Sequence, residues 1–146
     1  MRMVRETKML KITDGEAGYL AGIIDGEGSL YVRKEYEGST HTVIRVRITD
    51  EKLSKWIHAK TGIGAVHSYQ PNQRRKDGLA KKRVWEWAVL NRADVEAFLN
   101  KIEPWLIIKK ESAYILKEVE SLKLQGIFNG EPMRELKERL GKLAVK

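Results

Sequence analysis

The chain of 146 residues carries 28 Lys or Arg against 20 Asp or Glu, a formal charge of +8, and no cysteine. Its length suits one domain able to bury a real core, and the missing thiols exclude a disulfide framework and zinc–thiolate sites. The surplus charge asks for an acidic partner, nucleic acid ahead of a membrane surface, and residues 29–90 hold most of it, with 13 Lys or Arg against 6 Asp or Glu. Residues 1–13 contain no apolar run of signal-peptide length, and no segment approaches the ~20 apolar residues of a membrane span. A soluble, intracellular, cytoplasmic protein with access to the nucleoid is expected, an organellar one being the variant of that reading.

Thr13 followed by Glu16 is a capping-box pattern, so a helix begins at Thr13 or Asp14 and runs through Leu20, Ile23 and Ile24. Ala17, Gly18, Ala21 and Gly22 form a small-residue stripe on it, where a second helix backbone could come close. Glycine inside a helix costs about 1 kcal/mol against alanine, so Gly18 and Gly22 need a packing reason. The helix is expected to break into Asp25-Gly26-Glu27-Gly28, which aims acidic oxygens outward.

Two alternating stretches follow. Ser29 to Glu37 puts Leu30 and Val32 on one face and Tyr31, Arg33 and Glu35 on the other. After a Gly38-Ser39 turn, His41 to Asp50 sets Ile44, Val46 and Ile48 against Val43, Arg45 and Arg47, completing a hairpin. Asp50 to Lys60 has the period of a short helix that Gly62 ends, and Ile63 to Tyr69 reads as a strand with Ala65, His67 and Tyr69 on one face. Gln70 to Ala80 is a polar loop with Arg74, Arg75 and Lys76, readable as a phosphate contact or a solvated hairpin tip. Lys81 to Leu90 is the fourth strand, with Trp85, Trp87 and Val89 opposite Lys82, Val84, Glu86 and Ala88. Alternation with Val89 assigns the tryptophans to the core, base stacking being the other use of such rings. A helix from Asn91 runs through Ile102, and Pro104 opens another that runs through Trp105, Ile108 and Val119. Gln125 to Pro132 is a loop, and Leu136, Leu140 and Leu143 mark a last amphipathic helix. The sequence holds no internal repeat.

The stretch Leu20-Ala21-Gly22-Ile23-Ile24-Asp25-Gly26-Glu27-Gly28 resembles the LAGLIDADG signature of homing endonucleases, with Ile for Leu, Gly for Ala and Glu for the second Asp. The element order also matches. The resemblance implies an α+β, αββαββα fold with a four-stranded antiparallel saddle backed by helices, in a single domain over residues 1–146. Its core would span about 13–120, with a C-terminal helical extension over about 121–146. It further implies an intron-encoded, sequence-specific, Mg²⁺-dependent endodeoxyribonuclease, with Mn²⁺ able to substitute and Ca²⁺ acting as a non-catalytic mimic.

By resemblance, Glu27 is the metal-binding catalytic acid and the Gly26 carbonyl a further metal ligand. Asp50 falls where a polar residue meets the active-site water and Lys109 where a basic residue offsets phosphate charge. Capping the following helix and plain solvation are the respective alternatives for those two. The saddle's concave face would offer DNA Ser29, Tyr31, Arg33, Glu35, His41, Val43, Arg45, Arg47, Ala65, His67, Tyr69, Lys82 and Glu86, with Arg74 and Arg75 from the loop. A single signature implies a homodimer packed through Gly18, Ala21, Gly22 and Asp25, a helix-end structural role being expected for Asp25. Its double-stranded target would be long and approximately palindromic, cut to leave short 3′ overhangs, with no membrane partner. The same saddle would serve an RNA-binding splicing maturase that has lost cleavage. A transcriptional regulator is the weaker alternative, because Asp50 to Lys60 makes a poor recognition helix.

Overall fold

The computed structural model describes residues 9–34 and 40–144; the expected Gly38-Ser39 turn and Glu35 lie outside the described residues. Helix α1 (Asp14–Glu27) starts from a reciprocal cap. The Thr13 hydroxyl oxygen accepts from the Glu16 N–H at 3.1 Å, and Glu16 Oε1 accepts from the Thr13 N–H at 2.9 Å. Contrary to expectation, the helix does not break before Asp25 but carries both motif acids on its last turn. Gly26 costs it about 1 kcal/mol, less than the burial of a side chain such as Ile24 returns, so helix continues. The stop comes at Gly28, which turns extended while its N–H closes on the Ile24 carbonyl. A Cβ on Gly28 would lie 2.8 Å from both Ile24 Cα and Ile24 O, so only glycine lets the chain fold back this closely.

The return strand is β1 (Gly28–Lys34), followed by β2 (Thr40–Ile48), α2 (Glu51–Thr61), β3 (Ala65–Tyr69), β4 (Val84–Val89) and α3 (Arg92–Ile102). The strands form one antiparallel sheet in the order β1-β2-β4-β3. Pairings Leu30 with Ile44, Ile44 with Val89 and Val46 with Trp87 align the apolar alternation on one side, where α1, α2 and α3 pack. That side is dry. Leu20, Ile24, Ile44, Trp87, Phe98 and Leu99 are buried there. At about 1.5–3 kcal/mol for each large side chain, this interface rather than helix propensity holds the fold. Trp87 stacks edge-on to Phe98 at 5.2 Å and donates to the Ile63 carbonyl, and Trp85, on the same side, lies under Lys55 Nζ at 5.5 Å. Trp87 is therefore core, while Trp85 is half-buried on the same helix-covered side, so neither ring is offered to bases on the opposite face.

The last third differs from the pattern expected. Pro104 opens only a 3₁₀ turn (Glu103–Trp105), residues 106–109 leave helical geometry, and α4 (Lys110–Leu124) starts afresh. Then α5 (Glu131–Ala144) packs on α4 through the buried Met133 and Leu140, with Arg139 paired to Glu111 at 3.2 Å. Among the described residues no helix is long and apolar enough to cross a membrane.

The α1 cap carries a pH signature. The Glu16 carboxyl sits below its ordinary value because it accepts from the Thr13 backbone N–H and, secondarily, pairs with Lys60 at 2.9 Å. A lowered folded-state value means the contribution is complete above the ordinary glutamate range and fades as pH falls through the folded value. Urea unfolding of Glu16→Gln should therefore show lower stability than wild type at neutral pH and no difference in acid. A gap that does not change with pH would contradict this assignment.

Candidate active site and nucleic-acid interface

The side of the sheet away from α1, α2 and α3 collects the polar alternation in register. Ser29 faces Arg45, Tyr31 faces Val43, Arg33 faces His41, and Glu86 stands between Arg47 on β2 and His67 on β3. Ser29, Arg33, Arg47, Ala65, His67 and Tyr69 are exposed, while Tyr31, His41 and Arg45 are half-buried. Arg74 and Arg75 are exposed on the β3–β4 loop, where Arg75 pairs with Asp77 at 2.9 Å.

Three expected contact residues are placed differently. Val43 shares this face but is 0 % exposed, set beside Tyr31 and Arg45, whose guanidinium stacks 5.4 Å from the Tyr31 ring centre. A short branched side chain between two long stacked ones offers nothing to a ligand. Lys82 is exposed but precedes β4, so strand alternation does not govern it. Glu86 is 3 % exposed and faces inward upon its neighbours. Its Oε2 accepts from Arg47 Nε at 3.0 Å, and its Oε1 lies 2.5 Å from Arg45 Nε in an ion pair whose N–H is not aligned on the oxygen. His67 Nε2 is 3.9 Å from Oε2.

At one end of this face, a cleft of about 510 Å³ joins Glu27, Ser29, Tyr31, Arg45 and Arg47 to Lys109 and Ser112, with Leu140 and Leu143 of α5 on its wall. Two chain ends are locked together behind it. The Asp25 carboxylate accepts from the backbone N–H groups of Ile107, Ile108 and Lys109 at 2.8, 3.1 and 2.9 Å. In return Lys109 Nζ donates to the Asp25 carbonyl at 2.9 Å. Thus an anion meets the start of α4 and a cation meets the end of α1, each matched to the helix dipole it faces. This clamp draws residues 107–109 out of the helix that Pro104 was expected to begin, and it fixes Lys109 beside Glu27.

Glu27, the last residue of α1, is exposed. Of the four terminal carbonyls of that helix, Ile24 O is taken by the Gly28 N–H and Asp25 O by Lys109, which leaves those of Gly26 and Glu27 beyond the helical ladder. An open carboxylate next to such a carbonyl is a hard-oxygen donor set that suits Mg²⁺. Among the described residues no three His, Asp or Glu side chains converge to hold an ion, and Glu27 is the one carboxylate among the residues that line this cleft.

Asp50 stands apart from the cleft. Its Oδ1 accepts from the Leu53 N–H at 2.8 Å as the N-cap of α2, and it borders a separate hollow with Tyr19, Lys52, Leu53 and Trp56. The capping alternative is thus the one its geometry supports. The expected dimer stripe divides by helix angle. Ala17 and Ala21 point into the chain's own core, whereas Gly18 and Gly22 point outward with nothing within 4 Å of an added Cβ. Gly26 continues that outward line, and the Asp25 carboxylate is committed to residues 107–109. Gly26 on the stripe and Ser112 in the cleft were not expected there; the i+4 spacing from Gly22 signalled the first, and nothing local signalled the second.

No protein-family model and no curated protein sequence matches the chain. Solved structures do. The archaeal intron-encoded homing endonuclease I-Vdi141I, complexed with DNA, is similar over 91% of this chain and 86% of its own, with TM-score 0.67 and 22% identity. The homing endonuclease I-CvuI in complex with its target is similar over 90% of this chain and 96% of its own, with TM-score 0.54 and 19% identity. The LAGLIDADG homing endonuclease I-SmaMI, bound to cleaved DNA, has TM-score 0.65 and 16% identity over 88% of this chain but only 45% of its own. With five α-helices and a four-stranded antiparallel sheet among its described residues that superpose on these structures over most of its length, the chain has the LAGLIDADG homing-endonuclease fold.

Proposed function

We propose that the chain is a sequence-specific, Mg²⁺-dependent DNA endonuclease that works as a homodimer on a long, approximately palindromic site and leaves short 3′ overhangs. The observation that carries this reading is the continuity of one surface, an arginine-bearing sheet face running into a cleft where an exposed Glu27 stands beside Lys109.

The face binds first. Arg33, Arg45 and Arg47 offer charged forks to phosphates and base edges, and the major groove admits a two-stranded antiparallel ribbon such as β1–β2. Glu27 and the Gly26 carbonyl would hold the divalent cation, which when bound lowers the pKa of a water and offsets charge on the phosphate and the departing oxygen. Lys109, tethered to the end of α1, keeps a positive charge beside the same phosphate without having to be recruited from solvent. One chain carries the signature once and lines the cleft with one carboxylate, so cutting both strands asks for a second copy. The outward Gly18–Gly22 line lets two α1 helices approach closely enough to put both Glu27 side chains near the two scissile phosphates.

Incubating the purified chain with a randomised duplex library tests this. With Mg²⁺ the expected product is a discrete double-strand break at an approximate palindrome, and with Ca²⁺ the same site is bound and left whole. DNA bound with Ca²⁺ yet intact with Mg²⁺ or Mn²⁺ would overturn the nuclease reading.

A further inference from the structure

A carboxylate in the middle of a surface that receives a polyanion repels its own ligand, and a buried one also gives up hydration. Glu86 does both, and its contacts show what it gains. One oxygen meets Arg45 and the other meets Arg47, each through Nε. That leaves the terminal Nη1/Nη2 edge of both guanidiniums uncommitted to Glu86, and this edge can span two acceptors on a guanine. Arg45 is held on its second side by the Tyr31 ring. The two arginines are next-but-one neighbours on β2, so their Cα atoms lie roughly 6.8 Å apart, close to two base steps of roughly 3.4 Å.

Resting on the endonuclease reading above, we infer that Glu86 is a positioning residue for sequence specificity, which sets Arg45 and Arg47 as a two-armed reader of two guanines about two steps apart in each half-site. Arginine stays charged at any working pH, and the hydrogen bond to Glu86 holds the Arg47 guanidinium above its ordinary value. The cluster of Glu86, Arg45 and Arg47 keeps one net positive charge, and losing the carboxylate would add attraction for any DNA while freeing both arms.

Affinity and selectivity should therefore move in opposite directions. The test is site selection from a randomised duplex pool in Ca²⁺, read by sequencing, for wild type, Glu86→Gln, Glu86→Asp, Arg45→Ala and Arg47→Ala. Discrimination by Glu86→Gln should fall roughly tenfold at the two positions that the arginine variants identify, with other positions unchanged and binding to random DNA as strong or stronger. Glu86→Asp keeps the charge but is one methylene shorter, and should lose selectivity at one of the two positions. An unchanged Glu86→Gln profile, or a parallel fall in specific and random binding, overturns the inference while the endonuclease reading stands. If wild type selects no site at all, that reading fails and takes the inference with it.

Discussion

Glu27→Gln should bind target DNA as wild type does and cut it at least roughly 10²–10³-fold more slowly. Removing one preorganised charge at a reacting phosphate costs that much, and here the side chain is the single carboxylate lining the cleft. Stability should hardly change, because the side chain is exposed at the last position of α1 and packs against nothing in the core. Rates on a selected site with Mg²⁺, alongside binding with Ca²⁺, decide the matter. Cutting within a few-fold of wild type would remove Glu27 from the chemistry.

Asp25→Ala acts on the scaffold instead. The mutation leaves three backbone N–H groups of residues 107–109 without their charged acceptor and also loosens the Lys109 tether. With hydrogen bonds to charged groups at about 1.5–3 kcal/mol each, partly replaced by water in this half-open setting, a loss of about 3 kcal/mol is expected. That is roughly 10 °C in Tm for a chain of this size. Asp25→Asn keeps an acceptor oxygen and should lose less. Cleavage should fall in both variants, because Lys109 and Glu27 are aligned through this joint. A melting point within a degree or two of wild type for Asp25→Ala would mean that the three bonds are not holding the joint.

What could be read from the chain was what depends on neighbours in sequence. The Thr13–Glu16 cap closes over three residues, and the two faces of the sheet follow from a period of two, so α1's start and the sides taken by Arg45, Arg47 and Trp87 came out as expected. Alternation assigns a face without naming a partner. It put Glu86 and Val43 on the DNA side but carried no sign that one is clamped by two arginines and the other is closed off beside a stacked pair. The break before α4 was hidden for a similar reason, since the acceptor that pulls out residues 107–109 is Asp25, more than 80 positions earlier. The end of α1 was misplaced because Gly26 looks like a stop, whereas the decisive feature is the tight approach of Gly28 to Ile24.

The most direct test of the paired-arm account is a titration of wild-type subunits with Glu27→Gln subunits at saturating total protein on a selected site. If each double-strand break needs one carboxylate from each of two copies, cutting should fall as the square of the wild-type fraction. A fall in simple proportion to that fraction would mean that one chain cuts both strands by itself, and would contradict the account.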